Sequence, residues 1–263
     1  MVARFALVIG LSALATVLSA QQPAGQPPAK APPAAPAVKV QEPAAAGAEA
    51  VNVAIVPASR TDAGILARQE EVVRRAKEAE PTPVVFVGDS ITQGWETTGK
   101  DVWAKHVAPF GAVNLGVSGD RTEHVLWRLQ EAPLTRLKPK VIVLLIGTNN
   151  LGHRSSNAEQ TLAGVLAVLK KLREQAPDAW ILVNEIFPRG ERINAMRGDI
   201  LQVNQAVRGQ LDARMKSLPI GDRWVEADGT IKKDVMPDFL HLTAAAYEQW
   251  AMALVPEIEA ALR

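Results

Sequence analysis

Val141-Ile142-Val143-Leu144-Leu145-Ile146, followed at once by Gly147-Thr148-Asn149-Asn150, is the stretch on which the fold turns. A run apolar at every position has no polar face to offer water, so it suits a central parallel strand covered by helices on both sides. Working outward, Val84-Val85-Phe86-Val87 has the same character and runs into Gly88-Asp89-Ser90. Further strands are expected at Ala112 to Leu115, Trp180 to Glu185 and Arg223 to Glu226. Helical periodicity marks Ala63 to Lys77, Glu123 to Gln130, Ala158 to Gln175, Asn194 to Ser217 and Thr243 to Leu262. Strands alternating with helices imply an α/β fold built on a parallel five-stranded sheet.

In such a sheet the loops that follow the strands gather along one edge, where ligands bind. Three of them are polar and open with glycine: Gly88-Asp89-Ser90-Ile91, Gly116-Val117-Ser118-Gly119-Asp120-Arg121 and Gly147-Thr148-Asn149-Asn150. Glycine there lets backbone amides approach a ligand closely. A serine hydroxyl needs a base to take its proton, and the base needs a partner to hold its tautomer. Among four histidines only His241 has a carboxylate at a locally orienting spacing, Asp238, in Asp238-Phe239-Leu240-His241. Ser90, Asp238 and His241 are therefore the candidate catalytic residues. The Ser90 and Gly119 amides and the Asn149 carboxamide are the candidate oxyanion donors. Asp89, Asn150 and Arg189 are candidate pocket residues.

Each piece also has a plainer reading. Asp89-Ser90 suits a helix N-cap, Asp238 and His241 a turn before the next helix, and Asn149-Asn150 a turn. Arg189 suits a carbonyl cap or a pair with Glu191. His124 and the remaining histidines suit packing or surface roles, and four scattered histidines without a cysteine make no metal set. No metal and no cofactor are expected. His153-Arg154 after Gly147-Thr148-Asn149-Asn150-Leu151-Gly152 breaks any phosphate-loop pattern.

At 263 residues the chain is long enough for one sizeable core, and 29 Lys plus Arg against 28 Asp plus Glu provide no field for nucleic acid or anionic membrane. Residues 1–20 read as a signal peptide: Arg4, an apolar stretch from Phe5 to Val17, and Leu18-Ser19-Ala20. The apolar stretch falls short of the roughly 20 residues that span a bilayer, and a retained anchor is the alternative to cleavage. Residues 21–54, rich in Ala and Pro, read as a disordered linker, leaving 55–263 as the folded domain. Export to the periplasm or the extracellular space is expected, without disulfides because the chain has no cysteine.

The order of the blocks Gly88-Asp89-Ser90-Ile91, Asn114-Leu115-Gly116-Val117-Ser118-Gly119-Asp120, Gly147-Thr148-Asn149-Asn150 and Asp238-Phe239-Leu240-His241-Leu242-Thr243 resembles the SGNH, or GDSL-type, hydrolase family. Gly119 to Leu129, Lys138 to Val143 and Phe187-Pro188-Arg189-Gly190-Glu191 extend the likeness to its platelet-activating factor acetylhydrolase catalytic subunits and their bacterial relatives. The resemblance implies a flavodoxin-like three-layer α/β/α sandwich. It implies Ser90 as nucleophile and oxyanion donor, Gly119 and Asn149 as further donors, and His241 with Asp238 as base and orienter; Asp89 would not be the triad acid. The implied activity is hydrolysis of small acyl esters, with acetyl groups foremost. Export points to a glycan or other extracytoplasmic ester, and the family likeness to a phospholipid. A non-catalytic binding module and a flavodoxin-like cofactor carrier are the rival readings. The oligomeric state is not legible.

Overall fold

The computed structural model describes residues 51–263. The expected signal peptide and all but the end of the expected linker lie outside the described residues. Residues 51–54 belong to the folded body. Asn52 caps a short 3-10 turn, Val53–Ile55, and its carboxamide donates to Gln160 O at 3.3 Å. Ala54 is fully buried, and its carbonyl accepts from Thr122 Oγ1 at 2.8 Å. The fold therefore starts a few residues earlier than Ile55, because a small side chain and a paired carbonyl tie this turn to the helices below it.

In chain order the elements are α1 (Ala63–Glu78), β1 (Val84–Gly88), α2 (Ser90–Gln93), α3 (Lys100–Val102), β2 (Val113–Gly116), α4 (Thr122–Glu131), β3 (Val141–Leu145), α5 (Thr148–Gly152), α6 (Ala158–Gln175), β4 (Trp180–Asn184), α7 (Ala195–Arg208), β5 (Met215–Leu218) and α8 (Ala244–Leu262). The five strands pair in parallel in the order β2-β1-β3-β4-β5. This is the flavodoxin-like doubly wound order, with its switch point between β1 and β3.

The period of two along each strand divides the interior into two cores. Val85, Val87, Ile142, Leu144, Ile181 and Val183 face a layer that includes α4, α6 and α7. Val84, Phe86, Val141, Val143, Leu145 and Leu182 face the other, with α8 and the segment after α2. On that second side Trp95 packs against Phe86, Trp103, Tyr247 and Trp250, with ring centroids 4.8 to 6.2 Å apart. Full burial of each such side chain stabilises by about 2–3 kcal/mol.

The fifth strand is not where the sequence pattern puts it. Arg223–Glu226 is no strand; Ile220–Trp224 forms a 3-10 turn, and the edge strand is Met215–Leu218. The stretch that reads as one helix, Asn194 to Ser217, stops at Arg208 with Gly209 as its cap. Tertiary contacts decide this. Arg173 on α6 grips both Asp212 carboxylate oxygens (2.8 and 3.0 Å) and Arg214 O (3.2 Å), delivering the chain to the edge of β4. Lys216 stays exposed there, a charge that suits an edge strand. The other expected elements agree with the structure to within two residues at each end.

Candidate active site

Three loops stand side by side because β1, β2 and β3 end level: Gly88 pairs with Gly116 on one side and with Leu145 on the other. At Gly88 a Cβ would lie 2.1 Å from Thr92 Oγ1 and 2.4 Å from Leu145 O, so only glycine allows the chain to turn this tightly into α2. Asp89 caps that helix, its Oδ1 accepting from Ile91 N at 2.9 Å. From α8 the Tyr247 hydroxyl donates to Ile91 O at 2.6 Å. Ser90 is thereby held at the first turn of a short helix pinned from two directions.

His241 reaches Ser90 from a loop 151 residues away, with Nε2 3.0 Å from Ser90 Oγ. Its Nδ1 lies 2.6 Å from Asp238 Oδ2. The other oxygen, Asp238 Oδ1, accepts from the amides of Leu240 (3.1 Å) and His241 (2.7 Å). One carboxylate thus folds its own loop and orients the imidazole. Phe239 takes a left-handed backbone conformation at φ 58°, and its carbonyl accepts from Gly190 N at 2.8 Å. Burial pushes the Asp238 carboxyl up, but the hydrogen bonds from the His241 ring and amide outweigh it and hold the group below its ordinary value. With Asp238 ionised, Nδ1 carries the imidazole proton and Nε2 is free to accept the one from Ser90.

Gly119 has φ 73°, a conformation that suits glycine, and it lies in the loop after β2. Neighbouring Ser118 donates its amide to Gln93 Oε1 at 2.7 Å, tying this loop to α2. Asn149 is buried at the start of α5, and its Nδ2 donates to Asp120 O at 2.9 Å. A carboxamide has two N–H bonds, so one remains for another acceptor. The structure therefore joins Ser90, His241 and Asp238 in one hydrogen-bonded chain and links the Gly119 and Asn149 loops through Asp120.

The three expected pocket residues fare differently. Asn150 is fully buried, accepting from Thr122 N at 3.0 Å and donating to Thr122 Oγ1 (3.0 Å) and Glu123 Oε2 (3.1 Å). It braces α5 against α4. Asp89 also lies wholly beneath the surface, because capping α2 turns its side chain inward. Arg189 is half-buried and donates to Thr148 O and Oγ1, both at 3.3 Å, rather than to Glu191. It braces the Asn149 loop through Thr148. His124 has a packing role: its Nδ1 accepts from Arg121 N at 3.1 Å. Burial, then the Arg121 and Arg60 guanidinium groups, push it down to about 3, so it stays neutral. His106 lies 2.7 Å from Glu248 of α8. Among the described residues no cluster of three or more His, Asp or Glu side chains suits a metal.

Sequence reasoning misses Arg60. Its guanidinium donates to Ser118 O at 2.9 Å and to the buried Asp120 carboxylate at 3.3 Å, beside Gly119. Nothing in the local pattern around Arg60 signals that it belongs to a site 58 residues downstream.

The sequence model of the GDSL-like lipase/acylhydrolase family matches residues 86–249. The chain is 38% identical over 184 residues to human platelet-activating factor acetylhydrolase IB subunit alpha1, covering 69% of this chain and 77% of that protein. It is likewise 38% identical to the rat alpha2 subunit, covering 69% and 78%. Among solved structures it is similar to a GDSL-like lipase from Bacteroides thetaiotaomicron, with a TM-score of 0.63 at 20% identity over 74% of this chain and 98% of that one. A catalytic mutant of an acetylxylan esterase from Geobacillus stearothermophilus gives 0.55 at 16% identity, over 69% and 96%. The two structural likenesses speak to the fold alone. The protein is a carboxylic ester hydrolase of α/β architecture. It belongs to the GDSL-like lipase/acylhydrolase family.

Proposed function

We propose that the chain is an exported serine esterase that removes small acyl groups, chiefly acetyl, by way of an acyl-enzyme. One observation carries the reading: the unbroken hydrogen-bonded chain from Ser90 Oγ through His241 (3.0 Å) to Asp238 (2.6 Å). Ser90 Oγ attacks the ester carbonyl as its proton passes to His241 Nε2. Asp238 stays ionised and stabilises the imidazolium. The Ser90 and Gly119 amides and Asn149 Nδ2 stabilise the negative oxygen of the tetrahedral intermediate. His241 then protonates the leaving alcohol, and a water activated by the same nitrogen cleaves the acyl-enzyme. The wild-type protein is expected to hydrolyse p-nitrophenyl acetate and to be labelled at Ser90 by a fluorophosphonate. Ser90→Ala and His241→Ala should each lose roughly 10⁴-fold or more in kcat. Equal rates for all three proteins reject the reading, and an unlabelled, folded wild type favours a binding module.

Export supports an acetylated glycan or another extracytoplasmic ester as substrate. It rests on residues 1–20, and it is checked by sequencing the N-terminus of protein recovered outside the cytoplasm, expected to begin at Gln21. Cytoplasmic protein with residues 1–20 intact refutes it. The 38% identity to platelet-activating factor acetylhydrolase subunits favours a second reading, a phospholipid acetyl ester. Acetate release from acetylated xylan, acetylated monosaccharides and platelet-activating factor, compared by kcat/KM, separates the two. A preference for the phospholipid would overturn the glycan assignment.

A further inference from the structure

Arg60 stands outside the span that matches the family, on a strap of chain that leads into α1. The strap is firmly docked. Ala58 N donates to Glu123 O at 3.1 Å, and Arg60 N donates to Gln69 Oε1 at 3.1 Å. Asp62 takes both Nε and Nη2 of the Arg60 guanidinium, at 2.8 and 2.5 Å. The remaining nitrogen, Nη1, points into the protein and reaches Ser118 O at 2.9 Å and Asp120 Oδ1 at 3.3 Å.

The Ser118 carbonyl and the Gly119 N–H are two ends of one planar peptide group. A guanidinium that grips the carbonyl oxygen therefore fixes the direction in which the Gly119 N–H points. It also polarises that peptide, because a charged donor on the oxygen strengthens the hydrogen bond that the N–H gives. The space above the glycine is closed by the same group: a Cβ on Gly119 would lie 3.1 Å from Arg60 Nη1. Asp120 completes the arrangement from within. It is fully buried, and its second oxygen contacts Arg128 Nη1, while Arg128 Nη2 donates to Leu115 O at 3.1 Å. Its main-chain carbonyl is the acceptor that orients Asn149 Nδ2. A buried carboxylate needs partners for its oxygens, so Arg60 and Arg128 hold Asp120, and Asp120 holds both loops.

We infer that Arg60 is a positioning residue of the oxyanion hole, acting through the Ser118–Gly119 peptide and, with Arg128, through Asp120. This rests on the reading of Gly119 and Asn149 as oxyanion donors. Acting through the Gly119 peptide, Arg60 has its largest effect on the tetrahedral state, where charge collects on the oxygen.

The experiment uses the full chain and counts active sites by the end point of fluorophosphonate labelling. Steady-state hydrolysis of p-nitrophenyl acetate and inhibition by a boronic acid that forms a tetrahedral adduct on Ser90 are then measured for wild type, Arg60→Gln and Arg60→Lys. In Arg60→Gln, kcat per labelled site is expected to fall about 10- to 100-fold, with KM changed by less than about twofold and boronate affinity falling in step with kcat. Arg60→Lys keeps a cation but lacks the planar fork that spans Ser118 O and Asp62 together, so its loss should be intermediate, at least about threefold. Should Arg60→Gln not fold, Arg60→Lys decides alone. A purely structural role lowers the number of labelled sites and leaves kcat per site at the wild-type value; that outcome overturns the inference, as does a fall in kcat that boronate affinity does not follow. A wild type that takes no label fails earlier and separately, at Ser90 itself, and removes the underlying reading of the site.

Discussion

Asp89 stands next to Ser90 in the chain and takes no part in the hydrogen-bonded line to His241. Its Oδ1 caps α2, and its Oδ2 is buried without a hydrogen-bond partner among the described residues. Burial pushes the carboxyl up to about 7, against the pull of the Ile91 amide and of the nearby His241 and Arg189 side chains. In the unfolded chain it titrates near 3.8. Between these values the folded protein holds the extra proton, so this group's contribution to stability is full at low pH and is lost as pH rises through the window, by up to about 1.4 kcal/mol per unit. Asp89→Asn keeps the carbonyl that accepts from Ile91 N and cannot ionise. Its unfolding free energy, relative to wild type, is expected to rise between about pH 4 and pH 7 and then level off. Urea titrations across that range check this, and a difference independent of pH refutes it.

At the scale of single elements, the strands buried on both faces and the edge strand β2 are legible, and the other edge, β5, is not. β1, β3 and β4 announce themselves as apolar runs, whereas Met215-Lys216-Ser217-Leu218 is only four residues long and continues a helical pattern. What makes it a strand is its register against β4, with Val183 opposite Ser217, and the Arg173 clamp that precedes it. α7 is anchored to the end of β4 in a way that can be tested. Buried Asn204 accepts from Ile186 N at 2.9 Å and donates to Ile186 O at 3.0 Å. Asn204→Ala leaves two buried backbone groups unpaired and is expected to cost about 2–4 kcal/mol in denaturant unfolding. A cost under about 0.5 kcal/mol would mean that water satisfies both groups.

For the molecule as a whole, the sheet is a wall between two cores that share few side chains. Ile142 packs on one side and Ile258 of α8 on the other, both fully buried. Ile142→Val and Ile258→Val should each cost about 0.5–1.5 kcal/mol, the loss of one methylene from a packed interior. In the double variant the costs should add to within about 0.5 kcal/mol, because the two sites share no partner. Marked non-additivity in urea unfolding would show that the two layers are coupled through the strand.

What the sequence by itself determines is the class of fold and the order of the chemistry. Apolar runs with helical stretches between them dictate a parallel sheet, and glycine after each of the first three strands dictates polar loops at one edge. Asp238 and His241 are legible as a pair because three residues of separation already bring a carboxylate to an imidazole. Tertiary structure alone brings His241 to Ser90, sets Asn150 and Asp89 in the interior, and lays Arg60 against the Ser118–Gly119 peptide. The reason is physical. Periodicity and turn chemistry act over a few residues, and so they appear in the sequence. Which distant side chains meet is settled only when two cores close on both faces of one sheet and buried charges such as Asp120 must find their partners.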